Sequence, residues 1–226
     1  MKTRLLSFTL IFLLGTTLTF AQGTGNSITS FGILGGVNLQ NLNGKDMSGN
    51  KLENDLLTGF HAGVNAQIPV APEFYFQPGL MFSTKGAKNT EGELSGTIKL
   101  SYIELPLNFV YKALVGNGYF MLGFGPYVAY GIGGKATYEG GAASVETDIE
   151  FKKEVDSGDP LTTVYMKPFD AGANLFFGYE LPAGLFLQLN TQLGLLDIKP
   201  EDNRITGENN STLKNTGYGL SLGYRF

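Results

Sequence analysis

The chain has no cysteine and no tryptophan, and one histidine among its 226 residues. Without cysteine there is neither a disulfide framework nor a thiolate metal site. A solitary imidazole, His61, cannot supply the several ligands a metal site needs. Charge is also scarce, at 16% of residues against roughly 25% in ordinary soluble domains. The net charge of −4 argues against a nucleic-acid surface. Beyond the N-terminus there is no long apolar run, so a mean hydropathy of +0.01 has to come from short, dispersed apolar segments. No phosphate loop, nucleophile elbow or zinc signature is present.

What the chain does have is glycine (32 residues), phenylalanine (17) and tyrosine (11). Glycine and aromatics at this density suit tightly curved sheets, where small residues on one face make room for large ones on the other. The first residues form a separate unit. Lys2 and Arg4 precede an apolar core from Leu5 to Phe20, and Thr19-Phe20-Ala21 has the small-x-small form of a cleavage site. The run is short for a span of roughly 20 residues. Residues 1–21 are therefore expected to be a cleaved signal peptide, and 22–226 the mature domain.

After Ser27, apolar residues alternate with small or polar ones at period two, as in strands with two unlike faces. Eight such runs are evident: Ser30 to Gln40, Thr58 to Ile68, Phe74 to Lys85, Leu100 to Lys112, Tyr119 to Gly133, Phe169 to Glu180, Leu185 to Leu196 and Asn215 to Phe226. Each can cross a bilayer at a tilt, which takes roughly 9–11 residues. Pro78, Pro106 and Pro126 fall inside runs; proline removes a ladder donor, so local bulges or kinks are expected there. The connections alternate long and short, with the longest from Gly134 to Pro168. Short turns at one end and long loops at the other mark an eight-stranded antiparallel transmembrane β-barrel.

A soluble ligand carrier would also have eight strands, but with its apolar face inward. Here aromatics sit near strand ends on the apolar face. Phe74, Tyr111, Phe120, Tyr179, Tyr224 and Phe226 fall at one rim; Phe60, Phe82, Tyr130, Phe169 and Tyr218 fall at the other. Two such girdles fit a membrane barrel. Leu107, Leu122, Leu189 and Leu222 are then expected to face lipid, and Asn65, Asn108, Asn174 and Asn190 the lumen.

Several segments resemble the outer-membrane β-barrel domain proteins common in Bacteroidota, often labelled the porin family. They are Gly32 to Leu39, Gly59 to Gly63, Gln77 to Leu80, Tyr102 to Leu107, Gly123 to Tyr127 and Gly223 to Phe226. The resemblance implies an outer-membrane location reached through export, with lipids as surroundings and the barrel-assembly machinery as a partner during biogenesis. Phe226, Tyr224 and Leu222 resemble the terminal signal that this machinery reads.

Function is less legible. His61 falls on the polar face, where an interior hydrogen bond is its expected role. Glu104, Asp170 and Glu180 are expected inward carboxylates, paired with Lys85, Lys112 and Arg225. Lys112, Glu180 and Arg225 are expected to converge at the short-turn mouth as an interior charge cluster. No catalytic, cofactor-binding or metal-binding set emerges, no cofactor is implied, and no nucleic-acid partner is expected. The expected role is structural or binding, with loops displayed at the cell surface and a lumen too narrow for a wide pore. A lipid-modifying or hydrolytic barrel enzyme and a soluble lipocalin-like carrier are the alternatives. The surface ligand is not identified by the sequence.

Overall fold

The computed structural model describes residues 28–92, 94–141, 143–204 and 210–226. The expected signal peptide lies outside them. The elements in chain order are β1 (Ser30–Lys45), β2 (Leu57–Ala71), β3 (Phe74–Glu91), β4 (Leu94–Val115), β5 (Gly118–Gly140), β6 (Ala143–Phe151), β7 (Glu154–Val155), β8 (Val164–Met166), β9 (Phe169–Glu180), β10 (Leu185–Gly194), β11 (Glu201–Asp202) and β12 (Thr212–Arg225). Eight of them close into an antiparallel ring in the order β1-β2-β3-β4-β5-β9-β10-β12, with β12 returning to β1 from Gly32↔Arg225 to Lys45↔Thr212. Closure leaves the barrel wall without a free edge.

The alternation seen in the sequence sets the two faces. Leu222 is 56% exposed on the outer wall, while its neighbour Ser221 is fully buried inside. Leu122, Leu189, Val37 and Phe124 are likewise exposed; Asn65, Asn108, Gln67 and Asp170 are buried. Leu107 is only half-buried, and Asn174 and Asn190 are half-buried on the lumen side. A soluble carrier would have the opposite polarity. Neighbouring aromatics touch within each girdle: Phe74–Tyr111 and Tyr224–Phe226 at one rim, Phe60–Phe82 and Tyr130–Phe169 at the other.

Two features depart from the sequence reading. First, strands run well past the long-loop girdle. β4 and β5 stay paired up to Leu94↔Gly140, and β6 adds to β5 through Lys135↔Asp148 and Gly140↔Ala143. Much of what reads as loop is a standing sheet, because strand-favouring residues recur at every second position there, as with Val145, Thr147, Ile149 and Phe151 in β6. Tight turns at the other end need unusual backbone: Gly116 (φ 64°) and Gly184 (φ 86°) turn β4 into β5 and β9 into β10.

Second, the three prolines do not make bulges. The ladder β2–β3 runs to Asn65↔Gly79 and resumes at Ile68↔Phe76 in the same register, without rungs at Pro78. β3–β4 skips from Pro78↔Leu107 to Met81↔Glu104 around Pro106, and β4–β5 skips from Pro106↔Tyr127 to Phe109↔Phe124 around Pro126. Each proline keeps its partner on the following strand, so its missing N–H faces the preceding one. The ladders do shift elsewhere, between Pro69 and Ala71 and between Ser101 and Tyr102.

Candidate functional site

The lumen is filled from both ends. At the short-turn mouth, Lys112 at the end of β4, Glu180 at the end of β9 and Arg225 at the end of β12 meet on the inner face. Lys112 Nζ donates to Glu180 Oε1 at 2.8 Å, and Arg225 Nε to Glu180 Oε2 at 3.0 Å. The remaining donors are taken up by carboxamides: Arg225 Nη1 reaches Asn65 Oδ1 at 3.0 Å and Lys112 Nζ reaches Gln67 Oε1 at 3.3 Å. Aromatic faces enclose the cations, with Lys112 Nζ 4.9 Å from the Tyr119 ring and Arg225 5.4 Å from Phe186. The structure thus brings the three charged residues together, two cations sharing one carboxylate.

A second ionic cluster closes the other half with the opposite balance. Lys85 Nζ lies 2.8 Å from Glu104 Oε1 and 3.0 Å from Asp170 Oδ2, and the side chains of Lys85 and Asp170 are fully buried. Asp170 Oδ2 also accepts from Tyr127 Oη at 3.1 Å and Asn215 Nδ2 at 2.9 Å. Charges this deep persist only when paired and hydrogen-bonded. Above them an apolar cap is packed from Leu42, Ala87, Leu100, Ala136, Ile149 and Ile198. Sequence reasoning missed Tyr102 as a wall of this cluster, although it shares the parity of Glu104. It also missed the cap, in which Leu42, Ala87, Ala136 and Ile149 come from segments read as loops while Leu100 opens a run read as a strand.

Between the clusters is a cavity of about 90 Å³, lined largely by carboxamides. His61 sits at its side, with Nε2 2.7 Å from Ser221 Oγ, which also accepts from Asn190 Nδ2 at 2.9 Å. A serine beside a histidine is the minimal form of a nucleophile and base. Here the asparagine contacts the serine rather than orienting the imidazole, and both His61 and Ser221 are buried inside the barrel. Among the described residues, no group of three or more histidine, aspartate or glutamate side chains could hold a metal ion.

Outside the girdle stands a crown built from the outer ends of β4 and β5, from β6 and β8, and from the small parallel pair β7–β11. Between Gly134 and Pro168 it carries seven carboxylates and four lysines. Lys135 pairs with Glu146, Lys152 with Asp159 at 2.6 Å, and Arg204 with Asp202 at 2.7 Å while lying over the Tyr165 ring. The hydrogen bond from Lys152 holds the Asp159 carboxyl below the usual carboxylate range, and Arg204 does the same for Asp202. The crown is therefore a folded, net acidic surface tied by its own ion pairs.

Three solved structures resemble the chain in architecture. Ail, the attachment invasion locus protein of Yersinia pestis, is 13% identical, with 88% of this chain and 99% of that one covered and a TM-score of 0.40. OprG of Pseudomonas aeruginosa is 13% identical over 89% and 98%, with a TM-score of 0.42. Neisserial surface protein A is 13% identical over 88% and 97%, with a TM-score of 0.41. No curated protein matches the chain. Residues 20–199, well over half the chain, match the family described as outer membrane protein beta-barrel domain. With an eight-stranded ring, an apolar outer belt and that match, the chain belongs to the outer membrane protein beta-barrel domain family and resides in the outer membrane.

Proposed function

We propose that the chain is a surface-binding barrel: the eight strands anchor it, and the crown is the recognition element. The observation that carries this reading is the contrast between the two parts. The lumen is closed by paired charges and an apolar cap, whereas the strands continue beyond the girdle into a folded acidic sheet. A rigid sheet presents side chains in fixed positions, which a flexible loop does not. In this reading the chain is not an enzyme, because the Ser221–His61 contact is directed into the lumen. Residues 1–21 act as the removed leader, and Phe226, Tyr224 and Leu222 guide the last strand into the assembly machinery.

Crown exchange tests the proposal. Cells lacking the gene would receive either the full chain or a version with residues 136–167 replaced by a short turn. The trimmed barrel is expected to insert and to retain its folded gel mobility, yet fail to restore the phenotype of the lost gene. Full restoration by the trimmed barrel would place the function in the barrel and refute the reading.

A further inference from the structure

The missing rungs line up. Three adjacent seams, β2–β3, β3–β4 and β4–β5, each lack pairing beside one proline: Pro78, Pro106 and Pro126. The gaps step across the wall as a continuous band, because each proline is unable to donate to the strand before it. The rest of the ring is laddered without such a break: β5–β9 is paired at every position from Tyr119↔Glu180 to Tyr130↔Phe169, and β1–β12 throughout. One side of the barrel is therefore held by fewer hydrogen bonds than the other.

Both faces of that band are hollow. Inside, the carboxamide-lined cavity touches Asn65, Gln77, Gly79, Pro106 and Asn108, all in or beside the gaps. Outside lies an apolar groove of about 390 Å³ whose wall includes Ala66, Pro78, Gly79 and Leu80. Asn65 and Gly79 border both spaces. At Gly79 no side chain thickens the wall; a Cβ there would stand 3.0 Å from the Val64 carbonyl and 3.2 Å from the Pro106 ring. The groove is continuous with the lipid-facing belt at Phe31, Ile33 and Phe226.

We infer that this band is a lateral portal, admitting the head of a single-chain amphipath from the bilayer into the lumen while its alkyl tail rests in the outer groove. The ligand class follows from the two linings. The groove is apolar and already in contact with lipid chains, so its occupant there is an alkyl chain. The cavity has room for a head the size of a few water molecules. The head is uncharged and hydrogen-bonding, such as a hydroxyl or an amide, since the cavity wall is mostly carboxamide and its one carboxylate, Glu104, is already held by Lys85 at 2.8 Å and by Gln192 Nε2 at 3.1 Å. Among the cavity's carboxamides, Asn38, Gln40 and Asn108 each have a side-chain oxygen with no hydrogen-bond partner. This route is independent of the crown.

The absence of cysteine from the chain makes the test direct. A thiol placed in the cavity by Asn108→Cys, with Gln188→Cys as a second reporter, is offered N-dodecylmaleimide dissolved in phosphatidylcholine vesicles carrying the folded barrel. The expected result is modification at least tenfold faster than by a sulfonated, water-soluble maleimide. Re-knitting the seams with Pro78→Val, Pro106→Val and Pro126→Val should slow the dodecyl reagent at least tenfold and leave the water-soluble one unchanged. If the triple variant fails to fold, Pro106→Val alone, which mends the seam next to Gly79, should slow it by several-fold. Equal rates with and without the prolines, or no preference for the membrane-borne reagent at either thiol, would overturn the portal.

Discussion

Replacing Glu180 with glutamine tests the short-turn plug. Glu180 is the carboxylate that both Lys112 and Arg225 bond, and all three side chains are less than a tenth exposed. The substitution keeps the shape and one acceptor oxygen, but leaves two cations facing each other. Breaking a buried pair by neutralising one partner costs about 3–5 kcal/mol, against about 0–1 kcal/mol for an exposed pair. Because Gln67, Asn65 and Gln77 still solvate the cations, the loss is expected near the lower end, about 3 kcal/mol. The folded band on unheated gels should collapse at a clearly lower temperature, and the urea midpoint should fall with it. Lys112→Met leaves Glu180 paired with Arg225 and should cost less. Combining it with Glu180→Gln should recover part of the loss, since one of the opposed cations is gone. Wild-type behaviour of Glu180→Gln, or a greater loss from Lys112→Met, would refute the shared-carboxylate account.

Three further outcomes follow from the same structure. The Asp159 carboxyl is lowered in the folded crown by Lys152, so its contribution is present above the ordinary aspartate value of about 3.9 and is lost as pH falls through the folded value. The protection of the Asp156 amide, which donates to Asp159, taken relative to its intrinsic exchange rate at each pH, should be high at neutral pH, fall under acid, and be low at neutral pH in Asp159→Ala; pH-independent protection would contradict this. In planar bilayers the purified barrel should show no steady nanosiemens conductance, because eight strands leave an interior that side chains fill; reproducible large steps would count against the plugs. Deleting Phe226 should reduce assembly into the outer membrane with little change in the stability of the barrel that does assemble, measured by fractionation and gel mobility; normal assembly would remove the terminal-signal proposal.

Much of the barrel was legible because period-two alternation states which side of a strand faces lipid. Val37, Leu122 and Leu222 turn outward and Asn65, Asp170 and Ser221 inward on that rule alone. The meeting of Lys112, Glu180 and Arg225 follows from parity plus strand ends, since all three close inward-facing runs at the same mouth. The crown was not legible as structure. Outside the bilayer both faces of Ala143–Phe151 meet water or crown residues, and the lipid contrast that makes alternation readable disappears. The Ser221–His61 contact joins residues 160 apart in the chain, which only ring closure brings together. The prolines were visible, but not their effect: a bulge and a skipped rung look alike in sequence, and only the preserved register separates them.

The barrel presents its apolar face to lipid and its polar face to a lumen closed at both mouths. Nitroxides at Leu122, Leu189 and Leu222, and at Asn65, Asn108 and Asn190, would be compared in bilayers for collision with oxygen, which concentrates in lipid, and with a water-soluble nickel complex. The three leucine sites should favour oxygen strongly, and the three asparagine sites should collide with it far less often, since from the bilayer they are reached only through the narrow portal. Equal oxygen accessibility of the two sets, or a reversal between them, would contradict the register and with it the membrane barrel.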